Sequence, residues 1–168
     1  MSTLALFASE QSNQVDSTDA QNTPRDLALD LGRFELDVAS NPRSHIQADR
    51  SLCLEYGDDG LTHDWRAPSG SPASVWCNGP YSDPLPWCRR LREHRGAWCC
   101  LWKLDTTTTW FAVLMDCCDA WGAFRKRLRF ERDGNCGVAN FSSVLVWGGG
   151  WELPDAVRLR LWPIAKGI

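Results

Sequence analysis

The residues of this chain best suited to chemistry stand together in Ser74-Val75-Trp76-Cys77-Asn78-Gly79-Pro80-Tyr81-Ser82, where a short apolar run passes straight into a polar-aromatic turn. Asn78 brings an amide oxygen, Gly79 a main-chain carbonyl, Pro80 a ring that sets the backbone, and Tyr81 a flat aromatic face. An amine conjugated to a planar base is a poor nucleophile, because its lone pair is spread into the ring. Two acceptors drawn up to its N–H bonds, the Asn78 side-chain oxygen and the Gly79 carbonyl, would localise that pair, and Tyr81 would stack on the ring. The same residue types also build an ordinary surface turn, so the surroundings must decide between the two.

Such a turn needs strand ends to hold it. Thr23-Pro24 reads as the N-cap and first residue of a short helix with Leu27, Leu29 and Leu31 on its apolar face, ended by Gly32. Phe34-Glu35-Leu36-Asp37-Val38 reads as a strand with Asp37 near its carboxyl end. From Arg43 to Gly70 the pattern is polar and irregular, and no strand is placed there. After the strand that ends at Asn78, apolar Leu85, Trp87, Cys88 and Leu91 predict a helix over 84–94, stopped by Gly96. Residues 97–104 form an apolar run typical of a strand covered on both faces. A helix over 106–118 follows, capped by its threonines, and then strands over 121–130 and 143–147, separated by a Gly/Asn-rich loop. Residues 151–162 are an apolar tail of ambiguous type. The alternation predicts a three-layer α/β domain with a sheet reduced in its first half and a site at the carboxyl ends of the strands, where Asp37 and Asn78 both fall.

Composition narrows the classes. A chain of 168 residues is one domain by length, and a net charge of −3 excludes a protein that coats nucleic acid by bulk charge, though not one with a local basic face. Eight cysteines are present, at 53, 77, 88, 99, 100, 117, 118 and 136, but none forms a C-x-x-C knuckle. They read as buried reduced thiols of a cytoplasmic protein, with no metal expected. No basic leader with a long apolar core and no run of membrane-spanning length is visible, so a soluble, unexported protein is expected. Residues 1–21, rich in Ser, Gln, Asn, Thr and Asp, are expected to form a mobile tail.

With these residues in view, the chain resembles the phage-type DNA N-6-adenine methyltransferases, a small branch of the S-adenosylmethionine-dependent Rossmann-like enzymes. The resemblance is carried by Asn22-Thr23-Pro24, by Phe34-Glu35-Leu36-Asp37-Val38-Ala39, by Asp59-Gly60-Leu61 with Trp65, and by Trp76 to Ser82. It continues through Leu101 to Phe111, Arg127 to Phe130, and Ser142 to Trp147. It implies a methyltransferase domain over 22–150 with a C-terminal extension over 151–168. It also implies S-adenosylmethionine as cofactor, double-stranded DNA as partner, and a catalytic turn of Asn78, Gly79, Pro80 and Tyr81. Thr23, Pro24, Asp37 and Asp59 would lie toward the cofactor, and Lys103, Thr108, Trp110 and Arg127 toward DNA. The reaction implied is methyl transfer to N6 of a flipped adenine in a bacterial cytoplasm, encoded by a phage or prophage and serving protection from restriction. Transfer to N4 of cytosine, or a degenerate relative that binds without turnover, are the alternatives. No protein partner is implied.

The family's turn is usually Asn-Pro-Pro-Tyr, and Gly79 replaces the first proline. The acceptor carbonyl survives, the ring that fixed φ does not, and Gly79→Pro is expected to hold or raise catalysis if φ at 79 is near −65°. For several residues two readings stand side by side. Asp37, Asp58 and Asp59 serve either turns or the cofactor. Thr23 is an N-cap, a loop over the cofactor, or both. The basic runs Arg89, Arg90, Arg92, Arg95 and Arg125, Lys126, Arg127, Arg129 are either solvated faces or phosphate contacts. Among ten tryptophans, Trp65 and Trp110 are the ones expected near a ligand.

Overall fold

The computed structural model describes residues 21–132, 135–163 and 165–166. The tail expected over 1–21 therefore lies, apart from Gln21, outside the described residues. In chain order the elements are α1 (Arg25–Leu31), β1 (Arg33–Ser40), β2 (Gln47–Cys53), a 3-10 turn (Leu54–Tyr56), β3 (Val75–Cys77), α2 (Leu85–Glu93) and β4 (Trp98–Lys103). They continue with α3 (Thr109–Met115), β5 (Ala120–Ala123), β6 (Arg129–Arg132), β7 (Asn135–Val138), β8 (Ser143–Gly148), α4 (Asp155–Arg158) and β9 (Ala165–Lys166).

One seven-stranded sheet runs β2-β1-β3-β4-β8-β5-β9, and β6 and β7 form a separate hairpin. The first four strands are mutually parallel, whereas β8 is antiparallel to both β4 and β5. Strand β5 therefore points the same way as β4. The carboxyl ends of β1, β3, β4 and β5 share one edge, which brings Asp37, Asn78, Lys103 and the segment after Ala123 to the same side of the molecule. A strand buried on both faces must be apolar throughout, and β4 (Trp-Cys-Cys-Leu-Trp) and β8 (Val-Leu-Val-Trp after Ser143) are. Their alternate side chains feed two cores. Val75, Cys77, Trp98, Cys100 and Trp102 pack under α2 and α3, while Trp76, Cys99, Leu101 and Trp147 pack with Leu27 and Leu31 of α1 and with Leu153, Val157 and Leu161. The result is the three-layer Rossmann-like α/β arrangement, reduced to two strands, β1 and β2, on one side of β3.

Several local expectations are corrected. Strand β2 occupies part of the stretch read as irregular. It is a sheet edge with mostly exposed polar residues, and only Leu52 and Cys53 are buried, so alternation is nearly absent from its sequence. Residues 121–130 are not one strand: β5 ends at Ala123, and the polar run Arg125 to Arg127 leaves the sheet before β6 begins. β7 then lies within the Gly/Asn-rich stretch read as loop. In α1 the buried face is Leu27, Ala28 and Leu31, and Leu29 is 56% exposed, as a period of 3.6 requires of a residue two places from Leu27 and Leu31. Pro24, not Thr23, is the N-cap of α1, with no side-chain cap bond. α2 ends at His94 in an extended conformation. Gly96 instead lets the backbone pass, since a Cβ there would meet the Ala73 carbonyl at 2.5 Å. α3 is shorter than expected because Asp105 holds the threonines in a turn: Thr107 donates through N and Oγ1 to Asp105 Oδ1, and Thr108 Oγ1 donates to the Asp105 carbonyl.

Candidate active site

The turn after β3 is fixed from three directions. Asn78 Nδ2 donates to the Gln21 carbonyl at 3.3 Å and to Thr23 Oγ1 at 3.2 Å. A carbonyl can only accept, so this pairing fixes which end of the amide faces the Thr23 loop. Asn78 Oδ1 is turned the other way, shielded from solvent and without a partner. Gly79 does not adopt a left-handed φ. Its need for glycine is spatial: a Cβ would lie 2.9 Å from Trp102 Cη2 and 3.1 Å from Trp87 Cγ. Trp102 is fully buried, so the two indoles fill the room that a side chain at 79 would take. Tyr81 sits in an aromatic cage, 5.8 Å from Trp102, 5.5 Å from Phe141 and 6.4 Å from Phe130 between ring centroids. Its hydroxyl is buried without a partner, and burial pushes its pKa up.

The turn is the wall between two clefts. On one side, a cleft of about 440 Å³ is lined by Thr23, Asp37, Ser44, Glu55, Asn78 and Pro80 among others. That volume is in the range of small-molecule sites. On the other side, a cleft of about 280 Å³ is lined by Tyr81, Ser82, Trp102, Lys103, Thr108 and Trp110, with Pro84 and Asp105. Asp37 is 2% exposed, and burial raises its pKa to about 6, against hydrogen bonds from Ser40, the Ala39 amide and the Ser44 hydroxyl. The register of β1 against β2 slips between Asp37 and Ser40, which re-aims the strand where it meets the cleft.

Other residues singled out in the sequence fall elsewhere. Pro24 and Arg127 line a third groove of about 410 Å³. Asp59 lines none of these clefts: its carboxylate accepts from the Leu61 amide, its carbonyl from the Thr62 and His63 amides. That turn seats Gly60 so closely on β1 that a Cβ would overlap the Val38 carbonyl at 1.8 Å, and Trp65 Nε1 donates to the Gly60 carbonyl at 2.8 Å. Trp65 is thus held in the structural turn, while Trp110 reaches the smaller cleft. Arg90 lies over the Trp65 ring and donates to the His63 carbonyl. Sequence reasoning passed over Leu54 and Glu55, which reach the larger cleft from the end of β2. Their signal, an acid about 15 residues beyond the first strand, was available but had no strand to attach to. It also passed over Phe141, which closes the cage around Tyr81.

Among the described residues, no group of three or more His, Cys, Asp or Glu side chains is placed to hold a metal, and no helix is long and apolar enough to cross a membrane. The eight cysteines are free thiols, five of them buried.

A half-parallel sheet between two helical layers, with an amide-bearing turn separating two clefts at its carboxyl edge, defines a Rossmann-like α/β domain with its candidate site at the strand ends. The family model for DNA N-6-adenine-methyltransferase (Dam) matches residues 11–140, and the chain belongs to that family. Neither the curated proteins nor the solved structures yield a match. The activity of the family is DNA adenine methylation, and DNA is the substrate that goes with it.

Proposed function

We propose that the protein is a site-specific DNA methyltransferase that moves a methyl group from S-adenosylmethionine to N6 of an adenine flipped out of double-stranded DNA. The observation that carries this reading is Asn78 Oδ1, buried and bare on a turn shared by two clefts. Leaving such an acceptor unpaired costs about 1–3 kcal/mol. An amine N–H entering from the Tyr81 side would remove that cost at the point where the amine must be activated.

S-adenosylmethionine supplies, when bound, an electrophilic methyl group on a sulfonium. The larger cleft fits it: the buried Asp37 carboxylate would take the ammonium end, Glu55 would accept from the ribose hydroxyls, and exposed Leu54 offers an apolar surface to the adenine ring. Thr23 closes this cleft beside Asn78. Pro24 presents Thr23, and Asp59 acts at one remove by holding the turn that packs on β1.

The smaller cleft would receive the target base. Tyr81 and Trp110 offer aromatic faces, Trp102 excludes water from below, and Pro80 keeps the preceding residue extended so that the Gly79 carbonyl can serve as the second acceptor. With both N6–H bonds engaged, the nitrogen lone pair localises toward the cofactor side, and the proton leaves to solvent. Extrusion of the base costs a few kcal/mol, which contacts from Lys103, Thr108 and Arg127 to the strand would offset. In a bacterial cytoplasm, a phage- or prophage-encoded enzyme of this kind would protect DNA from restriction.

Incubation with methyl-labelled S-adenosylmethionine and a mixed-sequence duplex, followed by digestion to nucleosides, tests the reading. Label in N6-methyldeoxyadenosine is the expected product. Label in N4-methyldeoxycytidine would transfer the reading to cytosine. Cofactor binding without any label in DNA would leave a protein that binds and does not turn over.

A further inference from the structure

Two basic faces compete for the DNA backbone, and the topology separates them. We infer that the duplex is seated by the segment Arg125–Arg129, with Lys126, Arg127 and Arg129 as its phosphate contacts, and that the basic face of α2 takes no part. The inference rests on the DNA methyltransferase reading above. Because β5 runs parallel to β4, the segment leaving Ala123 emerges at the edge that carries Asn78 and Lys103; Ser143 and Val144 of β8 pair with Lys103 and Ala123 in adjacent register. Helix α2 instead carries the chain from that edge to the opposite one. Its last turn is tied there by His94 Nε2, which donates to the Ala73 carbonyl at 2.8 Å just ahead of β3. Arg92 and Arg95 therefore lie at the edge remote from Asn78.

Charge makes the same choice among the residues of the segment. Arg125 is held by its own fold, with Nε donating to the Leu161 carbonyl at 2.7 Å and the guanidinium over the Trp162 ring. Arg160, across the groove, is neutralised by Asp26 and Asp30. Lys126, Arg127 and Arg129 are exposed and form no ion pair among the described residues. On a chain of net charge −3, these three cations offer a polyanion a local positive surface at the edge that carries Asn78. The groove they border, about 410 Å³ and floored by Phe124 and Leu128, gives the strand a concave seat beside the catalytic edge.

The test is the salt dependence of binding of a fluorescein-labelled mixed-sequence duplex to the full chain, read by anisotropy. In Lys126→Gln/Arg127→Gln/Arg129→Gln the slope of log K against log salt is expected to shrink by about 2.7, at about 0.9 per phosphate contact, with affinity at low salt down at least ~10-fold. The single change Arg127→Gln should remove about 0.9 of the slope by itself. Arg92→Gln/Arg95→Gln should keep the wild-type slope. Cofactor affinity measured by calorimetry should stay within about twofold in all three, which reports an intact fold. A triple variant that keeps the wild-type slope, or an Arg92/Arg95 variant that loses it, overturns the inference even if the wild type methylates adenine. A wild type that binds duplex through these cations yet labels no nucleoside overturns the proposed activity and leaves the docking surface standing.

Discussion

Asn78 Nδ2 donates to Thr23 Oγ1 across 3.2 Å, so the loop that opens the larger cleft also orients the amide of the turn after β3. The Thr23 hydroxyl, expected to cap a helix, is spent on this contact instead. On the proposed mechanism, filling of the larger cleft and presentation of Asn78 Oδ1 to the base would thereby be linked.

Asn78→Ala is expected to lower turnover by about 2.7–4 kcal/mol of transition-state stabilisation, roughly 10²–10³-fold, as for other single acceptors or donors aimed at a reacting centre. S-adenosylmethionine affinity should change only a few-fold. Calorimetry beside a nucleoside-digest assay checks both, and equal turnover in the variant would take Asn78 out of the mechanism.

Thr23→Val keeps the shape of the loop and removes the acceptor for Asn78. A neutral hydrogen bond is worth about 0.5–1.5 kcal/mol, so turnover should fall several-fold with the melting temperature nearly unchanged. A variant with wild-type turnover would show that the Gln21 carbonyl alone is enough to orient the amide.

Asp37 links binding to pH. Its pKa rises from 3.8 unfolded to about 6 folded, mainly because burial disfavours the charge. The folded state therefore holds the proton more tightly, and the stability this group contributes is present below pH 3.8 and lost as pH climbs through 6. Affinity for a cationic ligand runs the other way, since the ionised carboxylate is what pairs with it, and should weaken as pH falls through 6. Asp37→Asn should stabilise the protein at pH 8 by up to about 3 kcal/mol while weakening S-adenosylmethionine at least ~10-fold and flattening its pH profile. Denaturant melts and calorimetry between pH 5 and 8 read the two effects separately; a sloping profile retained in Asp37→Asn would assign the titration to another group.

Gly79→Pro, which the sequence alone favours, is expected to fail for a reason only packing reveals. The φ at 79 is not left-handed, but the new Cβ would press on Trp102 and Trp87. Overpacking of this kind costs about 1–3 kcal/mol, and the strain falls on the carbonyl proposed as the second acceptor. Gly79→Ala should show most of the same loss in melting temperature and turnover. A proline variant as stable and as active as wild type would mean that the indoles yield freely.

Much of the site was legible because its residues are contiguous. Trp76 to Ser82 is one strand and one turn, and strand 97–104 declares itself by an unbroken apolar run. What stayed hidden depends on neighbours. β2 is an edge strand whose polar residues face water, so no period of two marks it, and Glu55 was lost with it. The second role of Thr23 exists only through Asn78, 55 residues away. Gly79 read as a loss of rigidity, whereas two tryptophans from α2 and β4 supply by packing what a ring at that position would supply covalently. Arg125 to Arg129 and the α2 arginines were equivalent as charge runs, and only the direction of β5 distinguishes them.

The aromatic rings around the smaller cleft do not stop at its wall. Tyr81, Trp102, Trp110, Phe111 and Trp121 follow one another at centroid separations of 5.8, 6.0, 5.8 and 5.7 Å, from the cleft to the far side of the first core. In such a row excitation runs downhill from phenylalanine and tyrosine to tryptophan, so light absorbed by Tyr81 or Phe111 is emitted by the indoles beside them. A base stacked against Trp110 would quench that indole. On the proposed mechanism, Trp110 would serve as an optical reporter of base extrusion, able to time the entry of adenine in a stopped-flow instrument without any attached dye.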